Sequence, residues 1–209
     1  MALPAVMGCG PRRTTTVDPL PDPVFLETSR PTGYRTSPTP SYSSGSRYTR
    51  SSAKGPWTVS RLKNRWKYII VHHSATENGG ARRFDQSHRS KGMDELGYHF
   101  VIGNGTDTSN GRIEVGSRWY KQKHGAHCRV NPNDSNEYNE HGIGICLVGN
   151  FDHGPPNRSQ MQRLIYLTKG LLAYTRLPAS AVHFHSDFKS TNCPGRNFPY
   201  AAFKRALRK

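Results

Sequence analysis

The chain has 209 residues, of which only 33% are hydrophobic, and its 30 Lys and Arg outnumber 14 Asp and Glu, for a formal net charge of +16. Four cysteines are too few for a small disulfide-stapled scaffold, and no apolar run approaches the ~20 residues of a membrane-spanning helix. The positive charge favours polyanionic partners, which at this point include nucleic acid, an anionic cell wall and an anionic membrane surface.

The first 56 residues are predicted to form a disordered tail. Pro, Gly, Ser and Thr occupy 30 of these 56 positions, and the segment has no apolar periodicity. Such a composition buries too little apolar surface to offset the entropy of ordering the chain. The sequence AVMGCG at residues 5–10 resembles the end of a lipoprotein signal. The tail is therefore a candidate envelope tether through Cys9, if the N-terminus is a truncated lipoprotein signal.

Residues 57–209 are predicted to fold as one domain, because their apolar residues recur with the periods of strands and helices. The first half predicts a strand at 66–74, a helix at 81–91, and two strands at 97–102 and 112–116 that form a hairpin. Residues 118–140 are polar and rich in loop-forming residues. This order of elements already mixes helices with strands.

The second half continues the same alternation. Residues 142–151, GIGICLVGNF, form the most apolar strand, which is predicted to be central, and its glycines predict close approach by a neighbouring part of the chain. A helix at 158–176, a short strand at 182–185 and a closing helix at 200–207 follow. The predicted fold class is therefore mixed α/β, with a central mixed β-sheet flanked by helices.

Histidines and one cysteine lie at the ends of two predicted strands. His72 and His73 end the first strand, and because neighbouring strand residues face opposite sides, at most one of them can serve a given site. The stretch HFHSDFKSTNCPG adds His183, His185 and Cys193. Two histidines and one cysteine are a known ligand set for catalytic zinc, in which water takes the fourth position.

Taken alone, this stretch leaves the chemistry of Cys193 open. The thiol could bind a metal, pair with Cys128 or Cys146 in an oxidising compartment, or act as a nucleophile beside a histidine base. Cys146, in an alternating strand, is interpreted as a small buried hydrophobe, whereas Cys128 is expected to be exposed. A disulfide between Cys128 and Cys146 is not expected.

Five motifs together resemble a known enzyme family. YIIVHHSAT, GYHFVIGNG, HGAHC, YNEHGIGICLVGNF and HSDFKSTNCPG occur in the order and approximate spacing of the zinc-dependent N-acetylmuramoyl-L-alanine amidases. That family includes the phage lysozyme-type amidases and is similar to the peptidoglycan recognition proteins. The resemblance covers residues 67–206, nearly all of the predicted domain.

The resemblance implies a zinc site at one end of the sheet, with His72, His185 and Cys193 as ligands. It also implies that His73 faces away from the metal and that His183 is a packing or supporting residue. Recognition proteins that have lost catalysis typically lack the cysteine, so Cys193 favours an active enzyme.

Further residues acquire roles from the same resemblance. Tyr98 matches the catalytic tyrosine of the family, and His127 is expected to line the cleft and contact the peptide stem. Thr191 stands where phage-type members carry a lysine, and it is expected to hydrogen-bond the developing oxyanion or the attacking water. Lys189 is not assumed to replace that lysine, and Asn139 is interpreted as turn-forming.

The implied activity is zinc-dependent hydrolysis of the amide between the lactyl group of N-acetylmuramic acid and L-alanine of peptidoglycan. The alternative is a non-catalytic peptidoglycan-binding module of the same fold. The expected partners are peptidoglycan or its muropeptides. The protein is expected to act in the cell envelope or outside the cell, and to be a monomer. No nucleic-acid partner is expected, because the basic residues are scattered rather than striped along one helix and no nucleic-acid-binding motif is present.

Overall fold

The computed structural model describes residues 54–63, 65–128 and 135–208. The predicted tail up to residue 53, including Cys9, lies outside the described residues, so the division at residue 56 stays a prediction. The strands of the described part are β1 (Tyr68–His73), β2 (Phe100–Ile102), β3 (Ile113–Val115), β4 (Gly142–Leu147) and β5 (Val182–Phe184). The helices are α1 (Ala81–Ser90), α2 (Ser117–Lys121), α3 (Glu137–Glu140), α4 (Arg158–Thr175) and α5 (Tyr200–Arg208).

The five strands form one mixed sheet in the order β3-β2-β4-β1-β5. β1 pairs in parallel with both β4 and β5, β2 is parallel to β4, and β3 is antiparallel to β2. The mixed α/β class, the β2–β3 hairpin and the central position of β4 are thereby confirmed. Because four strands run in parallel, the carboxyl ends of β1 and β5 lie side by side at one edge of the sheet.

One face of the sheet carries the main hydrophobic core. Ile69 and Val71 of β1 pair with Ile143 and Ile145 of β4, so all four side chains point to the same side. This side packs against α4 and α5, and every residue of the cluster is at least nine-tenths buried. The opposing surface is formed by apolar residues that recur at helical spacing on α4 and α5: Leu164, Leu167, Leu171, Phe203 and Leu207.

The opposite face carries a smaller apolar cluster and the polar residues of interest. His72 pairs in register with Cys146, and Cys146 pairs with Val101, so these three side chains share this face. Phe84 of α1 packs against Val101 and Cys146, and the half-buried Tyr98 lies beside them. The predicted helix at 81–91 thus covers this face, opposite α4 and α5.

Two strands are shorter than predicted by three or more residues at one end. β4 ends at Leu147 instead of residue 151, because Gly149 has a positive φ of 145° and turns the chain out of the sheet. β2 begins at Phe100 instead of residue 97, although His99 still donates its backbone N–H to the Gly144 carbonyl at 2.9 Å. The polar stretch 118–140 contains two short helices, α2 and α3. No described helix is both long and apolar enough to cross a bilayer.

Candidate metal centre

Three predicted ligand residues meet at the carboxyl ends of β1 and β5. His72 lies on β1, His185 follows β5 directly, and Cys193 is eight residues further along the chain. One nitrogen or sulfur atom of each residue lies within 4.8 Å of the others, and His72 Nδ1 is 3.8 Å from Cys193 Sγ. A tetrahedral zinc ion separates a ligand nitrogen from a ligand sulfur by roughly 3.6 Å. The observed distance is therefore close to that of a shared metal ion.

The imidazole of His185 supplies a test of whether a metal fits. Its Nε2 atom is buried and has no hydrogen-bond partner among the described residues. Such an atom has lost its water without gaining a protein partner, which costs free energy unless a ligand satisfies it. Two imidazoles and one thiol are a donor set that zinc accepts. The residues present therefore fit a zinc ion.

The protonation states of His72 and Cys193 are compatible with zinc binding. Burial lowers the pKa of His72 well below its ordinary value, and neighbouring His127 and His185 lower it further, so the imidazole is neutral and has a free lone pair. Burial raises the pKa of the Cys193 thiol to about 12, so without a metal the sulfur keeps its proton. The backbone N–H of His73 lies 3.4 Å from this sulfur and favours its thiolate form. Metal binding at Cys193 would thus release a proton.

The two neighbouring histidines do not contribute ring nitrogens to the cluster. His73 faces the other side of the sheet, where its Nδ1 accepts a hydrogen bond from the Phe151 backbone at 3.1 Å. His183 packs against the rings of Tyr68 and Phe188 and lies 3.5 Å from the carboxylate of Asp187. Alternation along β1 therefore decides which of His72 and His73 reaches the site.

His127 completes a hydrogen-bonded chain that ends at His72. Its Nε2 is 3.2 Å from the carbonyl oxygen of Gly142, and its Nδ1 is 3.0 Å from His72 Nε2. A carbonyl only accepts, so the His127 proton is assigned to Nε2 and the bare Nδ1 accepts from His72 Nε2–H. Burial lowers the pKa of His127 to about 4, which keeps the ring neutral at pH 7. His72 is left with a lone pair on Nδ1, the atom that faces Cys193.

Asn139 holds the segment that carries His127. Its side-chain oxygen accepts hydrogen bonds from the backbone N–H groups of His127 and Cys128, both at 2.9 Å. Its side-chain nitrogen donates to the Cys128 carbonyl at 2.7 Å. The prediction that Asn139 only forms a turn was incomplete, because a sequence does not show which backbone groups a buried amide satisfies. Gly144 lies under the His127 ring, and a Cβ atom there would collide with it.

The burial of Cys128 differs from the prediction. Cys128 is 6% exposed, whereas the sequence predicted an exposed thiol, and Asn139 holds it in the interior. Cys128, Cys146 and Cys193 are all free thiols. Cys128 lies 3.3 Å from His127 Nδ1, so His72, His127 and Cys128 form a second group whose donor atoms are close enough for a metal. Because both His127 nitrogens already have partners, the geometry favours the group that contains Cys193.

Tyr98 stands beside the metal group with its hydroxyl against the Cys146 thiol. Its ring centroid is 5.4 Å from that of His72, and the ring stacks on His127 at an interplanar angle of 15°. Burial raises the pKa of Tyr98 well above its ordinary value, so the hydroxyl is protonated and can donate a hydrogen bond. Tyr98 lines an open cavity of about 500 Å³ with His88, Met93, Ala126, His127, Cys128, Asn136 and Asn139.

Two residues of the loop before Cys193 lie at the edge of the site. Thr191 is exposed, and its hydroxyl oxygen accepts a hydrogen bond from the Cys193 backbone at 3.2 Å. Burial lowers the pKa of His185, and the positive charge of Lys189 lowers it further. The same charge offsets part of the rise, to about 12, that burial causes in the pKa of Cys128. The charge of Lys189 therefore lies near the cleft.

Arg118 is a supporting residue that sequence reasoning missed. It is 1% exposed, its Nε donates to the Leu96 carbonyl at 2.7 Å, and its Nη1 donates to the His124 carbonyl at 2.9 Å. A third contact pairs it with Asp94. One guanidinium thus joins the segment before Tyr98 to the segment before His127. No local pattern marks this arginine among the 30 basic residues.

His99, next to Tyr98, makes protein stability depend on pH. Its Nδ1 accepts from the Gly144 backbone and its Nε2 donates to the Lys123 carbonyl, both at 3.0 Å. Burial lowers the pKa of His99 well below its value of about 6.5 in the unfolded chain. The stabilisation is therefore complete above about pH 6.5 and is lost as pH falls from there toward the folded pKa.

We expect the free energy of unfolding to fall between about pH 7 and about pH 5, with His99 contributing up to ~1.4 kcal/mol per pH unit. Urea unfolding at both pH values measures this slope. His99→Asn keeps an acceptor for Gly144 and should flatten the slope. His153→Gln, at a largely exposed histidine, is the control and should keep the wild-type slope. An unchanged slope in His99→Asn would contradict this assignment.

Comparison with known proteins agrees with the fold. The N-acetylmuramoyl-L-alanine amidase family model matches residues 62–196. The chain is 33% identical over 134 residues to an endolysin of Enterobacteria phage T3, which covers 60% of this chain and 78% of the endolysin. It is 26% identical over 149 residues to peptidoglycan-recognition protein SC1a of Drosophila melanogaster, covering 66% of this chain and 72% of that protein. The solved structure of the N-acetylmuramoyl-L-alanine amidase LysC of Clostridium intestinale matches with a TM-score of 0.53 at 29% identity, over 71% of this chain and 91% of LysC.

Proposed function

The chain belongs to the N-acetylmuramoyl-L-alanine amidase family, and from that membership we propose that it is a zinc-dependent hydrolase of peptidoglycan. The bond cleaved joins the lactyl group of N-acetylmuramic acid to L-alanine. The observation that carries this proposal is the convergence of His72, His185 and Cys193 beside a protonated Tyr98, with the buried His185 Nε2 unpaired among the residues that the structure describes. Its substrate places the enzyme in the cell envelope or outside the cell.

When bound, zinc supplies a Lewis acid that polarises the scissile carbonyl and activates a water molecule. His72 Nδ1, His185 Nε2 and Cys193 Sγ would hold the ion, and His127 keeps the His72 proton on the opposite ring nitrogen. The Tyr98 hydroxyl donates a hydrogen bond to the carbonyl oxygen as negative charge develops on it. Burial keeps that hydroxyl protonated throughout the neutral pH range.

Thr191 and His127 have narrower roles in this proposal. The Thr191 oxygen already accepts from the Cys193 backbone, which leaves its O–H free to donate to the oxyanion or to the attacking water. Both ring nitrogens of His127 have protein partners, so its contact with the peptide stem is made by ring carbons facing the cavity. Its larger role is to orient His72.

The alternative function is recognition of peptidoglycan without cleavage, and the similarity to peptidoglycan-recognition protein SC1a favours considering it. A recognition module should bind muropeptides equally well with and without zinc. An amidase should release a peptide with a free L-alanine amino group. The presence of all three ligand residues favours the amidase.

Incubation with purified muropeptides, followed by mass spectrometry, tests the proposal. We expect a lactyl-containing glycan and a peptide with a free L-alanine amino terminus, formed only when zinc is present. A chelator should stop the reaction and added zinc should restore it. Binding without cleavage, at full zinc occupancy, would support the recognition module instead, and cleavage that survives the chelator would contradict the zinc mechanism.

The hydrogen bond between His127 and His72 predicts a difference between two substitutions. His127→Asn places an amide oxygen where Nδ1 accepts from His72, whereas His127→Gln reaches only the Nε2 position toward Gly142. We expect His127→Gln to weaken zinc binding about 10- to 100-fold and His127→Asn to stay within a few-fold of the wild type. Competition with a chromogenic chelator measures the zinc affinity. An equal loss in both variants would show that the bulk of the imidazole, and not its acceptor, matters.

A further inference from the structure

The C-terminal part of the chain has an uneven charge. Residues 153–209 contain ten Lys and Arg and a single acidic residue, Asp187. This part builds α4 and α5, and neither helix contains Asp or Glu. Seven basic residues of this part therefore lie on the layer that α4 and α5 form. On α4, its C-terminal cap and α5 they are Arg158, Arg163, Lys169, Arg176, Lys204, Arg205 and Arg208.

The α4 residues form a straight row. Arg158, Lys169 and Arg176 are 11 and 7 residues apart, so at 100° per residue they lie within about 20° of one another around the helix. At a rise of 1.5 Å per residue the row is about 27 Å long. Arg158 and Arg176 are exposed and Lys169 is half-buried. We call this row, together with Lys204, Arg205 and Arg208 on α5, the α4–α5 basic surface.

The charges of this surface are not neutralised within the described part of the protein. None of its six residues forms an ion pair with a described carboxylate, although Lys204 lies 5.1 Å over the ring of Phe184. The described ion pairs of Lys and Arg outside this surface involve Lys67, Arg83, Arg89, Arg118, Lys121, Lys123 and Arg196.

The surface lies on the side of the sheet opposite the metal centre. α4 and α5 pack on the face that carries Ile69 and Val71, whereas His72, Cys146 and Tyr98 are on the other face. A partner bound to α4 and α5 therefore leaves the cleft open. The proposed function requires the cleft to face peptidoglycan. The α4–α5 basic surface then faces away from the wall, and this step rests on the proposed function.

We propose that the α4–α5 basic surface docks on an anionic phospholipid bilayer. Two helices side by side present a broad array of cations, which suits a plane of phosphate headgroups. A cavity of about 320 Å³ beside α5, between Ser180 and Leu207, has Lys204 and Arg208 at its edge and can receive one headgroup phosphate. Among the large hydrophobic side chains described, only Tyr120 on α2 is exposed, so the contact is electrostatic and peripheral.

Co-sedimentation of the full chain with vesicles tests this proposal. Vesicles of phosphatidylglycerol and phosphatidylcholine are compared with vesicles of phosphatidylcholine alone. Binding is expected only with phosphatidylglycerol and should weaken as salt is raised. Each basic residue at an anionic membrane contributes a factor of about five, so Lys169→Gln/Arg176→Gln/Arg208→Gln should bind about 100-fold more weakly.

The matched control removes the same charge from the opposite face. Arg82→Gln/Arg89→Gln/Lys91→Gln alters α1 and its C-terminal cap, and it should bind the vesicles within a few-fold of the wild type. Equal losses in the two triple variants would overturn the proposal, because net charge alone would then explain binding. Absence of wild-type binding to anionic vesicles would overturn it too. Binding to duplex DNA is measured in parallel. If the α4–α5 triple variant lost DNA binding but kept vesicle binding, the proposal would also be overturned, because the surface would then bind nucleic acid.

The vesicle experiment can fail or succeed independently of the muropeptide experiment that tests the proposed function. Vesicle binding needs neither zinc nor catalysis, and hydrolysis of soluble muropeptides should be unchanged in the α4–α5 variant because none of its residues lines the cleft. Thermal unfolding of both variants confirms that each one folds.

Discussion

Replacing Cys193 with alanine is expected to remove both bound zinc and muropeptide hydrolysis. The thiolate is one of the three proposed zinc ligands, and the backbone N–H of His73 favours the charged form of the sulfur. Metal catalysis contributes several kcal/mol to such reactions, so the rate should fall by at least ~10³-fold. Zinc content by atomic absorption and the muropeptide assay measure the two effects on the same preparation.

Cys128→Ala is the matched control for this experiment. Cys128 is also a buried free thiol, and it belongs to the second group of residues, with His72 and His127, that could hold a metal. We expect Cys128→Ala to retain zinc and most of the activity. The opposite pattern, in which Cys128→Ala loses zinc and Cys193→Ala keeps it, would show that the metal binds the second group and would contradict the proposed ligand set.

Replacing Tyr98 with phenylalanine should lower kcat about 100- to 1000-fold while zinc remains bound. The hydroxyl is expected to contact the substrate oxygen mainly in the transition state, so KM should change little. The ring, which packs against both His72 and His127, is kept in phenylalanine, and so is the shape of the cavity. Steady-state kinetics on muropeptides, with zinc content measured in parallel, separates catalysis from metal binding.

Tyr68→Phe is the control for the loss of a tyrosine hydroxyl. The Tyr68 hydroxyl donates to Glu137 at 2.9 Å, and this residue does not line the cavity of Tyr98. The control should keep its wild-type kcat and lose at most about 1 kcal/mol of stability. A Tyr98→Phe enzyme with wild-type kcat would remove Tyr98 from the mechanism, and one without zinc would indicate a structural role.

The elements that the sequence predicted best are the long periodic ones. β1 and α4 end within two residues of their predicted bounds, because a buried strand and an amphipathic helix repeat their apolar residues over many positions. β4 was predicted four residues too long, since an apolar run does not show that Gly149 turns the chain away. The mixed sheet with a hairpin followed from the order of the elements.

The candidate site was less accessible to sequence reasoning. Residue types and spacing made a zinc site plausible, but the choice of His72, His185 and Cys193 came from the family resemblance, and their roles stay predictions. The hydrogen bonds of Asn139 and Arg118 could not have been predicted, because they reach backbone atoms elsewhere along the chain. The buried state of Cys128 follows from the Asn139 contacts and has no local signal.

By itself, the sequence determined the five strands and the three longer helices, the family, and the alternation that separates His72 from His73, because these depend on local periodicity and linked motifs. Only the tertiary structure decided what lies beside what. It placed His127 between Gly142 and His72, left His185 Nε2 without a partner in the described part of the chain, and put the basic residues of α4 and α5 on one side of the sheet. The reason is physical: strand pairing and helix packing join residues more than a hundred positions apart, and spacing along the chain does not encode those distances.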